Sequence, residues 1–375
     1  MKAAILQEKL KEGLLVIERI CSKSSTLPIL NNILISASKN FLCLESSNLE
    51  IGIKWWILAK IEKEGSIAVP AHLFSSFINL ITNEKLNLES AGTTLKIIEQ
   101  NQSTSINGFS GEDFPILPIV EKENEAAIIG MDELCGGLSQ IINIPAPFTS
   151  RPEVAGIYFL LQKNQIVLAA TDSFRLGEKK LFPKNPPNKE CSFILPQRTA
   201  KEIINIFNQK EGNLKIYLSP NQAAFEFSME EVSHPKVLLI SKLIEGEYPN
   251  YQEIIPPKTK TQIILKRQEF VDQIKLASLF SKKTNEIKLK INSKEKKLEI
   301  LSQNPEAGEY RSSLLGETKG EPLDISFNHR FLLDGLLSIK SPEVILGLNG
   351  EEGAAVLKPN SDEGYIYIIM PMKGS

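Results

Sequence analysis

The sequence predicts an α+β fold built as three tandem copies of one domain-sized unit, and three observations predict it. The chain has 375 residues, enough for two or three domains at roughly 100–200 residues each. A short apolar strand followed by an amphipathic helix begins three times at domain-sized intervals. A second strand–helix pair then recurs at a matching place in each copy. Each copy reads as β-α-β-β-β-α-β-β-β, with two helices on one face of a curved sheet.

The first pair reads AAILQEKLKEGLLVIERI from Ala3, AAIIGMDELCGGLSQIINI from Ala126 and TQIILKRQEFVDQIKLASLF from Thr261. In the first helix Leu10, Leu14, Ile17 and Cys21 recur at helical spacing and share one face. Leu134, Leu138 and Ile141 do the same in the second copy, and Phe270, Ile274 and Ala277 in the third. The second pair reads SIAVPAHLFSSFINLI from Ser66, SFILPQRTAKEIINIF from Ser192 and DISFNHRFLLDGLLSI from Asp324. Val69-Pro70, Leu195-Pro196 and Phe327-Asn328 occupy matching places, and a proline there suits a helix start because its missing N–H has no partner to lose.

Alternation over Asn213–Ser228 predicts a hairpin, and Asn349-Gly350 predicts a tight one. Gly347, Gly350 and Gly353 read as hairpin-turn residues. Trp55 and Trp56 are adjacent on a strand and so point to opposite faces, one toward the core. Phe114-Pro115 and Tyr248-Pro249 each precede an apolar run, a proline and a charged stretch, which read as linkers. The domains are expected at 1–123, 124–257 and 258–375. Repeats of about 125 residues are too long for a solenoid, whose units run about 20–50, so an arc or ring is favoured.

Hydrophobic residues make up 42% and charged residues 23%, which excludes a disordered or collagenous chain. Lys+Arg number 43 and Asp+Glu 45, a net charge of −2. This balance announces no strongly basic nucleic-acid binder, yet charge segregated by face still permits one. Cys21, Cys43, Cys135 and Cys191 form no C-x-x-C pair, so neither structural zinc nor a disulfide framework is expected. The charged first twenty residues are unlike a secretory signal, and no apolar run approaches the roughly 18 residues of a membrane helix. A cytoplasmic location is expected. No G-x-S-x-G, H-E-x-x-H or phosphate-loop motif occurs, and His72, His234 and His329 are scattered, so no catalytic residue, metal or cofactor is expected.

Several pieces carry a family resemblance: Leu27-Pro28-Ile29-Leu30-Asn31-Asn32, Ser47-Asn48-Leu49-Glu50, Ala170-Thr171-Asp172-Ser173-Phe174-Arg175-Leu176, Glu247-Tyr248-Pro249-Asn250-Tyr251 and Met370-Pro371-Met372-Lys373. Their order and spacing, with the triple repeat, resemble the bacterial β sliding clamps, processivity subunits of the replicative DNA polymerase. The resemblance spans the whole chain. It implies three clamp-type domains forming half of a six-domain ring, closed by a second copy head to tail, around duplex DNA. It implies partners as well: the polymerase, the clamp loader and repair proteins, docking through short apolar peptides.

Carried over by motif, the resemblance implies a peptide pocket of Val154, Thr171, Phe174, Arg175, Leu176, Pro249, Ile254, Phe331, Ile368, Met370, Pro371 and Met372. Pro-flanked methionines suit a surface that re-packs around several partners. Glu253 stands where the family often has a basic residue, which bears on the choice among partner peptides. Implied DNA-facing residues are Lys23, Ser24, Arg151, Arg198, Lys201 and Lys275; Ser24 stands where the family often has an arginine, with Lys23 beside it. The implied seam places Thr104 and Ile106 of one copy against Leu279 and Phe280 of the other. A rival reading from the same residues is a monomeric peptide-binding scaffold that does not encircle DNA.

Overall fold

The computed structural model describes residues 1–21, 27–82, 84–99, 102–118, 121–146, 151–208, 210–361 and 364–372. Six α-helices are present among them: α1 (Gln7–Ile17), α2 (Ala71–Leu80), α3 (Met131–Ile141), α4 (Gln197–Phe207), α5 (Arg267–Ser278) and α6 (His329–Ser338). They fall two to a repeat, as the periodicity predicts. The faces are the predicted ones. Leu10, Leu14 and Ile17 of α1, Leu134, Leu138 and Ile141 of α3, and Phe270, Ile274 and Ala277 of α5 are all buried. Cys21 lies beyond the end of α1 and is only partly covered.

The strand count departs from the sequence reading. Four long strands, not three, separate the two helices of each repeat; in the middle repeat they are Gly156–Gln162, Gln165–Thr171, Arg175–Leu181 and Cys191–Pro196. The fourth runs straight into the second helix with no turn between, as the strand–helix pairs from Ser66, Ser192 and Asp324 predict, and the uncounted strand is one of the three before it. Pro70 and Pro196 are the N-cap residues of α2 and α4. In the third repeat Asn328 takes that place, and its side chain accepts a hydrogen bond from the Arg330 N–H at 3.0 Å.

The chain divides into two compact units, Met1–Met131 with Lys210–Leu243, and Asp132–Gln209 with Ile244–Ser375. The first holds a nine-stranded antiparallel sheet in which Ile51–Leu58 of the first repeat pairs with Pro235–Lys242 of the second. It also holds a five-stranded sheet that ends on the strand Ser103–Asn107. The second unit repeats the plan. Its nine-stranded sheet joins Arg175–Leu181 to Tyr365–Ile369, and its four-stranded sheet ends on Gly308–Leu315.

Helix α1 packs on α2 and on the strands Phe41–Ser47 and Ile51–Leu58. Trp55 is the core member of its pair at 1% exposure, and Trp56 is half-buried. The Trp55 ring occupies the space a side chain at Gly13 of α1 would need, with its Cδ1 2.7 Å from an ideal Cβ. Gly335 of α6 admits Tyr367 in the same manner at 2.6 Å. Asn213–Ser219 and Gln222–Ser228 form the predicted two-residue hairpin. The Asn349-Gly350 turn is wider than expected: residues 349–354 connect Glu343–Leu348 to Ala355–Pro359, and Gly347 lies inside the first of these strands.

Candidate functional site: an aromatic and guanidinium surface beside the C-terminal strand

The site is built on the three-residue turn Asp172–Phe174 between the strands Gln165–Thr171 and Arg175–Leu181. The Asp172 carboxylate accepts from the backbone N–H groups of Phe174 and Arg175, both at 3.0 Å. Thr171 Oγ1 accepts from the Ser173 N–H at 3.2 Å and donates to the Arg175 carbonyl at 2.8 Å. Ser173 takes φ +75°, a conformation that these local bonds hold in place. The turn projects Phe174 outward at 62% exposure. The Met370 N–H donates to the Phe174 carbonyl at 2.9 Å, which ties the C-terminal segment to the turn.

Arg175 is the centre of the cluster, with its side chain 9% exposed. Its Nε donates to Asp172 at 2.9 Å, one terminal nitrogen donates to Asp334 and the other to the Asn143 carbonyl at 2.9 Å. The guanidinium lies 4.5 Å from the centre of the Phe331 ring, and Phe331 stacks toward Phe174 at 6.3 Å. Burial works against its charge, but Tyr367, Asp334 and Asp172 together raise its pKa above the ordinary value. Arg175 therefore stays cationic and locked, a plate between two carboxylates and a ring.

Beneath this surface Leu176 and Ile368 face each other across paired strands and join Ala169, Tyr251 and Val356 in a buried cluster. Tyr158 and Tyr248 stack on its margin at 4.8 Å. The Tyr251 hydroxyl donates to Glu178 at 2.8 Å. Burial pushes the phenols of Tyr248 and Tyr251 well above their usual range.

The expected pocket residues thus separate into layers. Phe174, Arg175, Phe331 and Met370 are brought together, and Thr171 shapes their turn. Leu176, Ile368 and Val154 are 3% exposed or less and form floor and support. Ile254 is 51% and Met370 40% exposed, while Pro249, Pro371 and Met372 are half-buried. Met372 is anchored through its N–H to the Ser326 carbonyl at 2.9 Å. Asp334, Asn143, Tyr248 and Tyr251 belong to the site as well; of these only the two tyrosines lie in a motif that carries the family resemblance, while Asp334 and Asn143 lie in the repeated helix segments.

The other expected residues lie apart from this cluster. Lys23 and Ser24 fall outside the described residues. Arg198 and Lys201 are exposed three residues apart on α4, and Lys275 is exposed in the last turn of α5. Arg151 is exposed but spends its charge on Glu153 at 2.9 Å. Thr104 and Ile106 sit on the edge strand Ser103–Asn107; Ile106 is buried within its own sheet's core at 3% exposure. Leu279 is 71% exposed, and Phe280 stacks on Tyr310 of the other edge strand at 5.9 Å.

Fold and site together define a class: a tandem-repeat protein with an aromatic and guanidinium surface and open sheet edges. Three family profiles cover nearly the whole chain, matching the DNA polymerase III β subunit's N-terminal domain over residues 1–118, its central domain over 147–250 and its C-terminal domain over 252–373. The chain belongs to the DNA polymerase III β subunit family, the sliding clamps of DNA replication, which are processivity factors and not enzymes. It is 26% identical to the β sliding clamp of Bacillus subtilis over the full length of both chains, and 26% identical to that of Staphylococcus aureus over 94% of each. The crystal structure of the B. subtilis sliding clamp superposes over the whole of both chains with a TM-score of 0.93. That of a putative β subunit from Eubacterium rectale, at 25% identity, does so with 0.92.

Proposed function

We propose that two copies of this clamp join head to tail into a closed ring around duplex DNA, and that partners dock on the Phe174–Arg175–Phe331 surface through short apolar peptides. The observation that carries the ring is the pair of open sheet edges. Ser103–Asn107 ends one sheet and Gly308–Leu315 ends another, and each has hydrogen-bonding groups on its outer side to offer a further strand. Leu276 at 45% and Leu279 at 71% exposure lie on and just past α5, the helix that packs on the second edge strand, as apolar surface without cover in one chain.

A ring suits the chemistry. Sequence-independent contacts with DNA have dissociation constants of roughly 10⁻⁴–10⁻⁶ M. At an association rate near 10⁷ M⁻¹s⁻¹ such a contact lasts on the order of a millisecond to a tenth of a second. Enclosure removes the escape path, and weak contacts then favour sliding. Exposed Arg198, Lys201 and Lys275, on a chain of net charge −2, fit such contacts. The three domains are proposed at 1–123, 124–257 and 258–375, and the location as the cytoplasm; no helix among the described residues is long and apolar enough to cross a membrane.

The docking surface has the chemistry of an exchangeable contact. Burying ~400 Å² of apolar peptide yields about 10 kcal/mol gross, and ordering the peptide takes much of it back. Light scattering on the Leu279→Ala, Phe280→Ala double variant tests the ring. The parent is expected at twice the 41.8 kDa chain mass and the variant at the chain mass. A parent of single mass at micromolar concentration would favour the monomeric scaffold instead.

A further inference from the structure

We propose that the docking surface selects apolar peptides carrying a lysine or arginine beside the apolar anchor, because the charge it leaves unpaired is negative. This rests on the peptide-docking reading above and specifies the partner's chemistry. Arg175 is the one cation among the pocket residues, and with its side chain 9% exposed it presents little of its charge to a partner. Each of its three nitrogens donates within the protein, and its face is laid on Phe331. Asp172 is likewise consumed: one oxygen takes two backbone N–H groups, the other takes Arg175, and its side chain is 10% exposed. These two close on each other.

What remains at the rim is anionic. The Asp334 side chain is 43% exposed and meets Arg175 through one of its two oxygens, leaving the other for a partner. Glu253, exposed beside Ile254, meets the uncharged Asn250 amide at 2.6 Å, which does not cancel its charge. Glu247 is exposed two residues before Pro249. Among the described residues of this rim, Arg330, exposed next to Phe331, is the cation set against these three carboxylates. An acidic residue beside the anchor meets like charge and finds no free guanidinium. A basic one meets two carboxylates that lie next to the apolar contact residues Ile254 and Phe331.

The test uses the full chain and three synthetic peptides sharing one Leu-Phe anchor, flanked by lysine, glutamine or glutamate. Fluorescence anisotropy reads each at low and at about 0.5 M salt, where charge interactions beyond a few ångströms are screened. The lysine peptide should bind about threefold to tenfold tighter than the glutamate peptide at low salt, with the difference collapsing at high salt. Glu253→Lys, a change at an exposed side chain, should reduce or reverse that order. Equal binding of the three peptides, or tighter binding of the glutamate one, overturns the charge selection and leaves the docking surface standing. If none of the three binds, the docking reading itself falls, and the charge selection with it.

Discussion

Arg175 shows how one side chain does two jobs. It is a structural tie, since Asp172 and Asp334 depend on it for charge, and it is the plate on which the half-buried Phe331 ring lies. Arg175→Ala leaves both carboxylates without their cation and removes the plate under Phe331. The expected loss is about 2–3 kcal/mol of stability, read by chemical denaturation, with peptide binding lost at least tenfold. Arg175→Lys should recover part of the stability and little of the binding, because an ammonium cannot serve three acceptors and a ring in one plane. A stable Arg175→Ala protein that binds peptide normally would contradict this account.

His329 carries a pH signature at the same scale. It starts α6 at 8% exposure, and its Nδ1 is buried with no partner. Burial, helped by Arg330, lowers its pKa below 6.5. Between the lowered value and 6.5 the unfolded chain binds a proton that the folded chain refuses, so stability falls as pH drops through that window. Thermal unfolding of the parent and of His329→Gln between pH 7.5 and 5.5 checks this. The gap between the two should shift in favour of the variant as the solution is acidified, and a gap independent of pH would refute it.

Elements show the repeat at work. The turn at Asn48 copies the turn at Asp172: Asn48 accepts from the N–H groups of Glu50 and Ile51 at 3.0 and 2.7 Å, and Leu49 takes φ +70° as Ser173 takes +75°. The Lys242 N–H meets the Glu50 carbonyl at 2.9 Å, as that of Met370 meets Phe174. The backbone of the docking site is thus built twice, once in each unit. The side chains differ. Glu50 and Ile51 stand where Phe174 and Arg175 stand, and Leu117 seats on Gly52 so closely that a Cβ there would lie 2.5 Å from it. The first unit keeps the turn and fills the surface. Leu117→Ala should cost about 2–5 kcal/mol, measured by denaturant unfolding; a loss below about 1 kcal/mol would mean that Leu117 is not the plug.

The helices were legible in the sequence because a 3.6-residue period survives without knowledge of the partner surface, as Leu134, Leu138 and Ile141 show. The number of strands before Gly65–Pro70 was not, since short turns such as Lys39-Asn40 divide them without a glycine or proline to mark the break. In the docking site, the local turn Thr171–Arg175 could be read from its motif. Asp334 could not, because its bond to Arg175 spans 159 residues and nothing in the spacing of α6 announces it. Nor was it legible that Leu176 and Ile368 are floor and not contact, for both an apolar floor and an apolar rim read alike until burial separates them.

For the whole molecule, the account turns on assembly. The end repeats each finish a sheet on an unpaired strand, Ser103–Asn107 in one and Gly308–Leu315 in the other. Natural proteins rarely leave such edges open beside exposed leucines without a use for them. Because the two edges are different surfaces, joining them is a heterologous contact, which makes either a closed ring or an open filament. In the proposed assembly, two copies with three repeats each close the ring.

Negative-stain electron microscopy of the purified chain at micromolar concentration tests this most directly. The account predicts closed rings with a central hole, and crescents for the Leu279→Ala, Phe280→Ala variant. Isolated crescents from the parent chain, persisting when duplex DNA and a clamp loader are added, would contradict it and leave a monomeric peptide-binding scaffold in its place.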